Sequence, residues 1–162
     1  MGSASDLFQR AVIALSDQDF ERAEKLTNEL LELDAKNVDA WGLLANIHQQ
    51  SGEHGKAIEA AKKATELDPK NIQHWNNLGF LYLSREQWKE GEKCYAKAVK
   101  LPNPPPTIFL NHAWALAELG QEKAAFKELK QAIDQSLEDT ITETIKTEDR
   151  YTKLRPLLKK VK

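Results

Sequence analysis

VDAWGLLANIHQQSGEHGKAIEAAKKATELDPKN, residues 38–71, runs directly into IQHWNNLGFLYLSREQWKEGEKCYAKAVKLPNPP, residues 72–105, and the two stretches align over 34 residues without a gap. Trp41 falls on Trp75, Leu44 on Leu78, Ala45 on Gly79, Ala57 on Gly91, Ala64 on Ala98 and Leu67 on Leu101. A fixed period of this length marks a repeat architecture. Each unit is too small to bury its own apolar face and has to stack on its neighbours.

The period continues in both directions. Forward, Trp75 leads to Phe109, Gly79 to Ala113, Gly91 to Ala125 and Ala98 to Ala132; backward, Trp41 leads to Leu7, Ala45 to Ala11, Ala57 to Ala23 and Leu67 to Leu33. Four units result, over 4–37, 38–71, 72–105 and 106–137. In each, apolar residues recur twice at helical spacing around a turn-prone break such as Asp17-Gln18-Asp19 or Ser51-Gly52. The spacing predicts helices over Asp6–Leu15, Phe20–Leu33, Val38–Gln50, His54–Leu67, Ile72–Ser84, Trp88–Leu101, Thr107–Leu119 and Glu122–Gln135, with Asn37 and Asn71 as N-caps. Glycine inside a helix costs about 1 kcal/mol relative to alanine, so Gly79 and Gly91 point to a close approach of two helix backbones. The prolines at 102, 104, 105 and 106 read as a stiff turn between units, since the period passes through them undisturbed.

After Ser136 the phase is lost. An apolar stripe persists in Leu137, Ile141 and Ile145, then in Tyr151, Leu154, Leu158 and Val161 at heptad-like spacing. Residues 138–162 are therefore expected to form a capping helix and a short second helix covering the last unit, with Pro156 limiting or starting the latter. This tail is basic: from Lys146 onward seven cations face Glu148 and Asp149, about +5, which leaves about −7 on the remainder of a chain whose net charge is −2.

Trp75, Leu78, Gly79 and Tyr82 in the third unit, with Ala57 and the closing Asp68-Pro69 in the second, resemble the tetratricopeptide repeat family, whose unit reads Trp-x2-Leu-Gly-x2-Tyr, then Ala-x3-Phe, then Pro. The first unit matches least well, with Arg10 where the others have Leu44, Leu78 and His112. The resemblance implies an all-α fold: an α-solenoid, a right-handed superhelix of four helix-turn-helix repeats closed by C-terminal capping helices.

Composition narrows the function. A near-neutral charge argues against an electrostatic grip on nucleic acid, and no apolar run approaches a membrane span. Cys94 is the one cysteine, so no intrachain disulfide is expected; with no basic-apolar leader, a cytoplasmic setting is the expectation. His48, His54, His74 and His112 form no HxxxH or HExxH pair, and no glycine-rich phosphate loop occurs, so neither catalysis, metal nor cofactor is expected. His48 and His112 align with the packing residues Tyr82 and Leu78, which places their imidazoles in or near the core.

A binding surface is the remaining route. The resemblance implies that the first helix of each unit lines a concave groove, and this assigns to the wall Leu43, Asn46 and Gln50, then Asn76, Asn77 and Phe80, then Leu110, Asn111 and Trp114. A carboxamide offers both a donor and an acceptor, matching the backbone amide of an extended peptide. Phe80, Leu110 and Trp114 are apolar beyond the needs of the helix core. The expected ligand is a partner peptide or helix with apolar side chains; the alternative is self-association as a spacer in a larger assembly. Capture of a terminal carboxylate is not expected, because Phe8, Val12, Asn77, Thr107 and Asn111 stand where paired cations are needed.

Overall fold

The computed structural model describes residues 3–136 and 140–161. Leu137, expected to open the last apolar stripe, and Lys162 of the basic tail lie outside them. Among the described residues the chain is helical, with no strand. The helices are α1 (Ala4–Ser16), α2 (Phe20–Leu33), α3 (Val38–Gln50), α4 (His54–Leu67), α5 (Ile72–Leu83), α6 (Trp88–Ala98), α7 (Pro106–Glu118), α8 (Glu122–Gln135), α9 (Thr140–Thr147), a 3-10 segment (Asp149–Leu154) and α10 (Arg155–Leu158). They divide into two compact units, one running through His74 and one starting at Trp75.

In the first unit α1 pairs with α2 and α3 with α4, and α2 packs on α3. Ser3, Asp19 and Asn37 each accept a hydrogen bond from the amide three residues on, at 3.2, 3.2 and 2.9 Å, satisfying donors that a helix start leaves open. Asn71 instead accepts from the Gln73 amide at 3.0 Å, a tighter local turn than the expected cap. Leu7, Ala11, Leu26, Leu30, Ala40 and Ile47 close into one buried cluster, with Phe8, Phe20 and Leu31 packed on its edge.

One turn recurs at the repeat interval. Gln18, Gly52, Glu86 and Gly120 all take left-handed φ, of 60°, 82°, 58° and 73°. In each case the next residue's amide reaches back five positions, Asp19 to Ala14, Glu53 to His48, Gln87 to Tyr82 and Gln121 to Leu116, at 2.8–3.0 Å. This is the Schellman closure of a helix C-terminus, which glycine makes without strain and Gln18 and Glu86 make at a cost.

In the second unit α5 and α6 meet through a size exchange. A Cβ on Gly91 would lie 2.3 Å from Leu83 Cδ2 and 3.3 Å from the Gly79 carbonyl, and one on Gly79 would lie 2.7 Å from the Tyr95 ring. Ala61 and Leu129 stand where Tyr95 does in neighbouring repeats. The fully buried phenol of Tyr95 therefore takes up the volume that alanine fills at positions equivalent to Gly79.

α7 contacts α6, α8, α9 and the 3-10 segment. Ile108, Phe109, Leu110 and every residue from His112 to Ala117 are buried, so this helix has almost no solvated face.

The spans of α1, α5 and α7 differ from expectation by one or two residues at an end, and two stretches differ more. α6 stops at Ala98 rather than Leu101, because a residue before a proline is pushed out of the helical region and Pro102 follows Leu101. The expected helix through Tyr151, Leu154, Leu158 and Val161 is instead a 3-10 segment, with Tyr151 at φ −96° and ψ 16°, followed by α10. Pro156 has no amide to give to the carbonyl four residues back, which interrupts an α ladder there. Tyr151, Leu154 and Leu157 are the buried residues of this stretch, while Leu158 and Val161 are half-buried.

Two variants test these contacts by thermal or urea unfolding. Gly52→Ala costs about 1 kcal/mol by forcing a Cβ into left-handed backbone, while Glu86→Ala, already strained, leaves the midpoint where it was. Gly91→Leu lowers stability by about 3 kcal/mol or prevents folding; an unchanged midpoint contradicts the α5–α6 packing.

Candidate functional site: the exposed faces of the first helices

In the first unit, Asn46 and Gln50 are exposed one helical turn apart on α3. Leu43, expected beside them on the wall, is 7% exposed and belongs to the buried cluster. It turns inward to join the apolar cluster that includes Leu26, Leu30 and Ala40.

In the second unit a file of polar groups crosses from α6 to the 3-10 segment. The Tyr95 hydroxyl lies 3.2 Å from both the carbonyl and the Oδ1 of Asn76. Asn111 Nδ2 donates to Asn76 Oδ1 at 3.3 Å, and the Tyr151 hydroxyl donates to Asn111 Oδ1 at 3.0 Å. The Asn111 carboxamide thus uses its two ends on different partners, while Asn76 accepts both of its side-chain bonds at Oδ1. The pairing links Asn76, not the repeat-equivalent Asn77, to Asn111; Asn77 remains exposed.

Beside this file lies an aromatic cluster. The Trp114 ring meets Trp88 edge-on at 6.0 Å and Tyr151 at 5.6 Å. The Arg150 guanidinium sits 4.8 Å from the Tyr151 ring centroid, 5.7 Å from Phe80 and 5.8 Å from Trp114. Lys153 pairs with Glu118 at 2.6 Å. Leu110 and Trp114, expected to be open on the groove wall, are therefore closed, at 2% and 6% exposure, and Phe80 is half-buried. The cover over Trp114 includes the chain's own residues 149–154.

Burial pushes the Tyr95 phenol well above the ordinary range. It pushes Tyr151 up to about 12, with Arg150 opposing and Glu148 reinforcing the shift.

Buried imidazoles lie where the repeat alignment puts them, and each is flanked by acids. His48 Nε2 is 3.9 Å from Glu24 and its Nδ1 3.6 Å from Glu53; His112 Nε2 is 3.3 Å from Glu92 and its Nδ1 3.4 Å from Glu128. Among the described residues, Glu24, His48 and Glu53 bring their ligand atoms within 4.8 Å of one another, a set compact enough to hold a cation. Lys56 also pairs with Glu53 and offsets its charge. A search for local ligand spacing misses this set, because its members come from two hairpins. The roles of Arg150 and Tyr151 are missed for a related reason: basic charge and an apolar stripe are visible in the tail, but not the surface on which they land.

Both phenols have folded-state pKa values above the usual 10, so folding favours their protonated forms. Their contribution to stability is complete below pH 10 and falls as pH rises from about 10 to about 12, where the unfolded chain ionises first. Tyr151→Phe makes this fall shallower in urea titrations across that window, and an unaltered slope contradicts the burial of Tyr151.

Family models for the tetratricopeptide repeat match residues 14–76 and 60–93. The chain is 27% identical over 112 residues to transcription factor tau subunit sfc4 of Schizosaccharomyces pombe, covering 67% of this chain and 11% of that protein. It is 30% identical over 125 residues to protein FlbA of Caulobacter vibrioides, covering 76% of this chain and 21% of that one. This chain thus spans only a small part of either curated relative. The crystal structure of YrrB, described as a tetratricopeptide repeat protein with an unusual peptide-binding site, shares the fold at a TM-score of 0.72 and 17% identity, over 96% of this chain and 84% of that one. No helix among the described residues is long and apolar enough to cross a membrane. Matched by two family models and built of stacked helical hairpins, the chain belongs to the tetratricopeptide repeat family.

Proposed function

We propose that this chain is a non-catalytic protein-interaction module that takes a partner peptide on the faces its first helices turn outward. One observation carries the reading: residues 149–154 already lie on α7, with a hydroxyl on the Asn111 carboxamide and a ring edge-on to Trp114. The same side-chain types that hold this segment suit a peptide from another chain. A carboxamide accepts and donates without selecting a particular residue, and an aromatic surface holds apolar or planar groups.

Within this reading the wall residues divide by accessibility. Asn46 and Gln50 in the first unit and Asn77 in the second are exposed and meet a partner directly. Asn76, Phe80 and Asn111 are half-buried and shape the surface beneath it. Leu43, Leu110 and Trp114 are buried and hold the backbone of the wall in place. That YrrB, which shares this fold, is described as having a peptide-binding site supports peptide recognition by such a scaffold.

Selection of peptides from a random display library on the immobilised full chain tests the reading. Peptides selected on wild type are expected to lose about ten-fold in affinity on Asn77→Ala or, separately, Asn46→Ala, roughly the loss of one hydrogen bond in a partly desolvated site, with helical circular dichroism unchanged. Equal affinity for wild type and both variants places recognition elsewhere and overturns the proposal.

A further inference from the structure

We infer that residues 148–155, Glu-Asp-Arg-Tyr-Thr-Lys-Leu-Arg, are an intramolecular occupant of the α7 wall, and that the partner which replaces them presents a basic residue followed directly by a tyrosine in one tight turn. The inference rests on the peptide-binding reading and names the partner class for its second unit.

The segment makes contacts of the kind a bound peptide makes. Tyr151 is 2% exposed and enters the wall ring first, its hydroxyl ending on Asn111. Arg150 lies over Phe80, Trp114 and Tyr151 while its side chain stays 37% exposed and pairs with Glu148. Lys153 reaches Glu118 on α7. A planar cation beside a phenol is therefore what this surface accommodates, and the acid at its edge favours a second cation further along.

Several features make the seat exchangeable. The occupant is a 3-10 turn, whose hydrogen bonds have poorer geometry than those of an α-helix, so little internal structure is lost when it leaves. Its cations sit near the surface, where each contact is weak. It also leaves the wall unfinished: among the described residues, none gives buried Trp114 Nε1 a hydrogen-bond partner. A buried donor without an acceptor is costly, so a ligand that sets a carbonyl or carboxylate oxygen there gains a bond the resident segment does not make. Occupation by the chain's own segment reduces the apparent affinity for such a ligand by the fraction of time the seat is open.

The experiment uses full-length chain and a fluorescent octapeptide, EDRYTKLR, read by anisotropy, with EDAATKLR as control. Arg150→Ala with Tyr151→Ala is expected to bind the octapeptide at least about ten-fold more tightly than wild type does, because the seat is vacated. Adding Asn111→Ala is expected to remove that gain, and the control peptide to show none. Should the double alanine variant lose helical signal, Arg150→Ala with Tyr151→Phe keeps the ring and is expected to gain about three-fold. Equal binding by wild type and the folded variant, or equal binding of the control peptide, overturns the inference. A dimer of wild-type chains that the octapeptide dissolves also overturns it, by giving the seat to a second copy. Library peptides that depend on Asn77 while the octapeptide fails to bind remove this inference alone; octapeptide binding without any Asn77-dependent or Asn46-dependent peptide removes the general reading alone.

Discussion

α7 has almost no face that tolerates water, and that constraint shapes the second unit. Its sequence, Pro106 to Glu118, carries apolar or small residues through nearly every register, and Ile108, Leu110 and Ala115 are each 2% exposed or less. An ordinary repeat helix is covered by its hairpin partner and by the preceding hairpin, and the remaining side is solvated or takes a ligand. Here α6, α8 and α9 cover part of α7, and the 3-10 segment covers the side with Asn111 and Trp114. Leaving a tryptophan exposed instead of buried forfeits a favourable transfer of several kcal/mol at roughly 25 cal/mol per Å². Covering the wall is therefore favourable whether the cover is the chain's own tail or a partner.

The hairpins themselves obey a simpler rule of size. At the two helix-crossing positions in each repeat the chain has Ala11 and Ala23, Ala45 and Ala57, Gly79 and Gly91, or Ala113 and Ala125, all buried. Small side chains let the helices of a pair approach. The glycines appear where Tyr95 and Leu83 bring large groups to the same crossing, so their cost in helix propensity is offset by volume. Tyr95 in turn supplies the hydroxyl that anchors Asn76, and Asn76 holds Asn111. A packing exchange in one hairpin thereby orients a carboxamide in the next.

Much of the fold was legible because repeat period, helix spacing and turn chemistry agree with one another. Phe20–Leu33, Val38–Gln50, His54–Leu67 and Glu122–Gln135 lie where their spacing puts them. Local turn effects escaped: Pro102 ended α6 early, and Pro156 turned an apparent heptad stripe into a 3-10 segment. The wall was legible as a list of side-chain types but not as a surface. Periodicity tells which residues share a helix face; it does not tell that Leu43 joins the first core, that Asn76 outcompetes Asn77 for Asn111, or that Tyr151 comes to rest against Trp114. The last two outcomes depend on contacts between residues 35 or more positions apart, as in Asn76 with Asn111 and Asn111 with Tyr151, and repeat phase carries no information about them.

Tyr151, seated between Asn111 and Trp114, is the contact on which the second unit turns. Nuclear Overhauser spectroscopy of the full-length chain at neutral pH reads it directly. Cross-peaks between the Tyr151 ring protons and the Trp114 indole protons, lost in Tyr151→Ala, are the predicted result. A mobile Tyr151 ring with sharp, solvent-like resonances and no cross-peak to the indole would contradict the account.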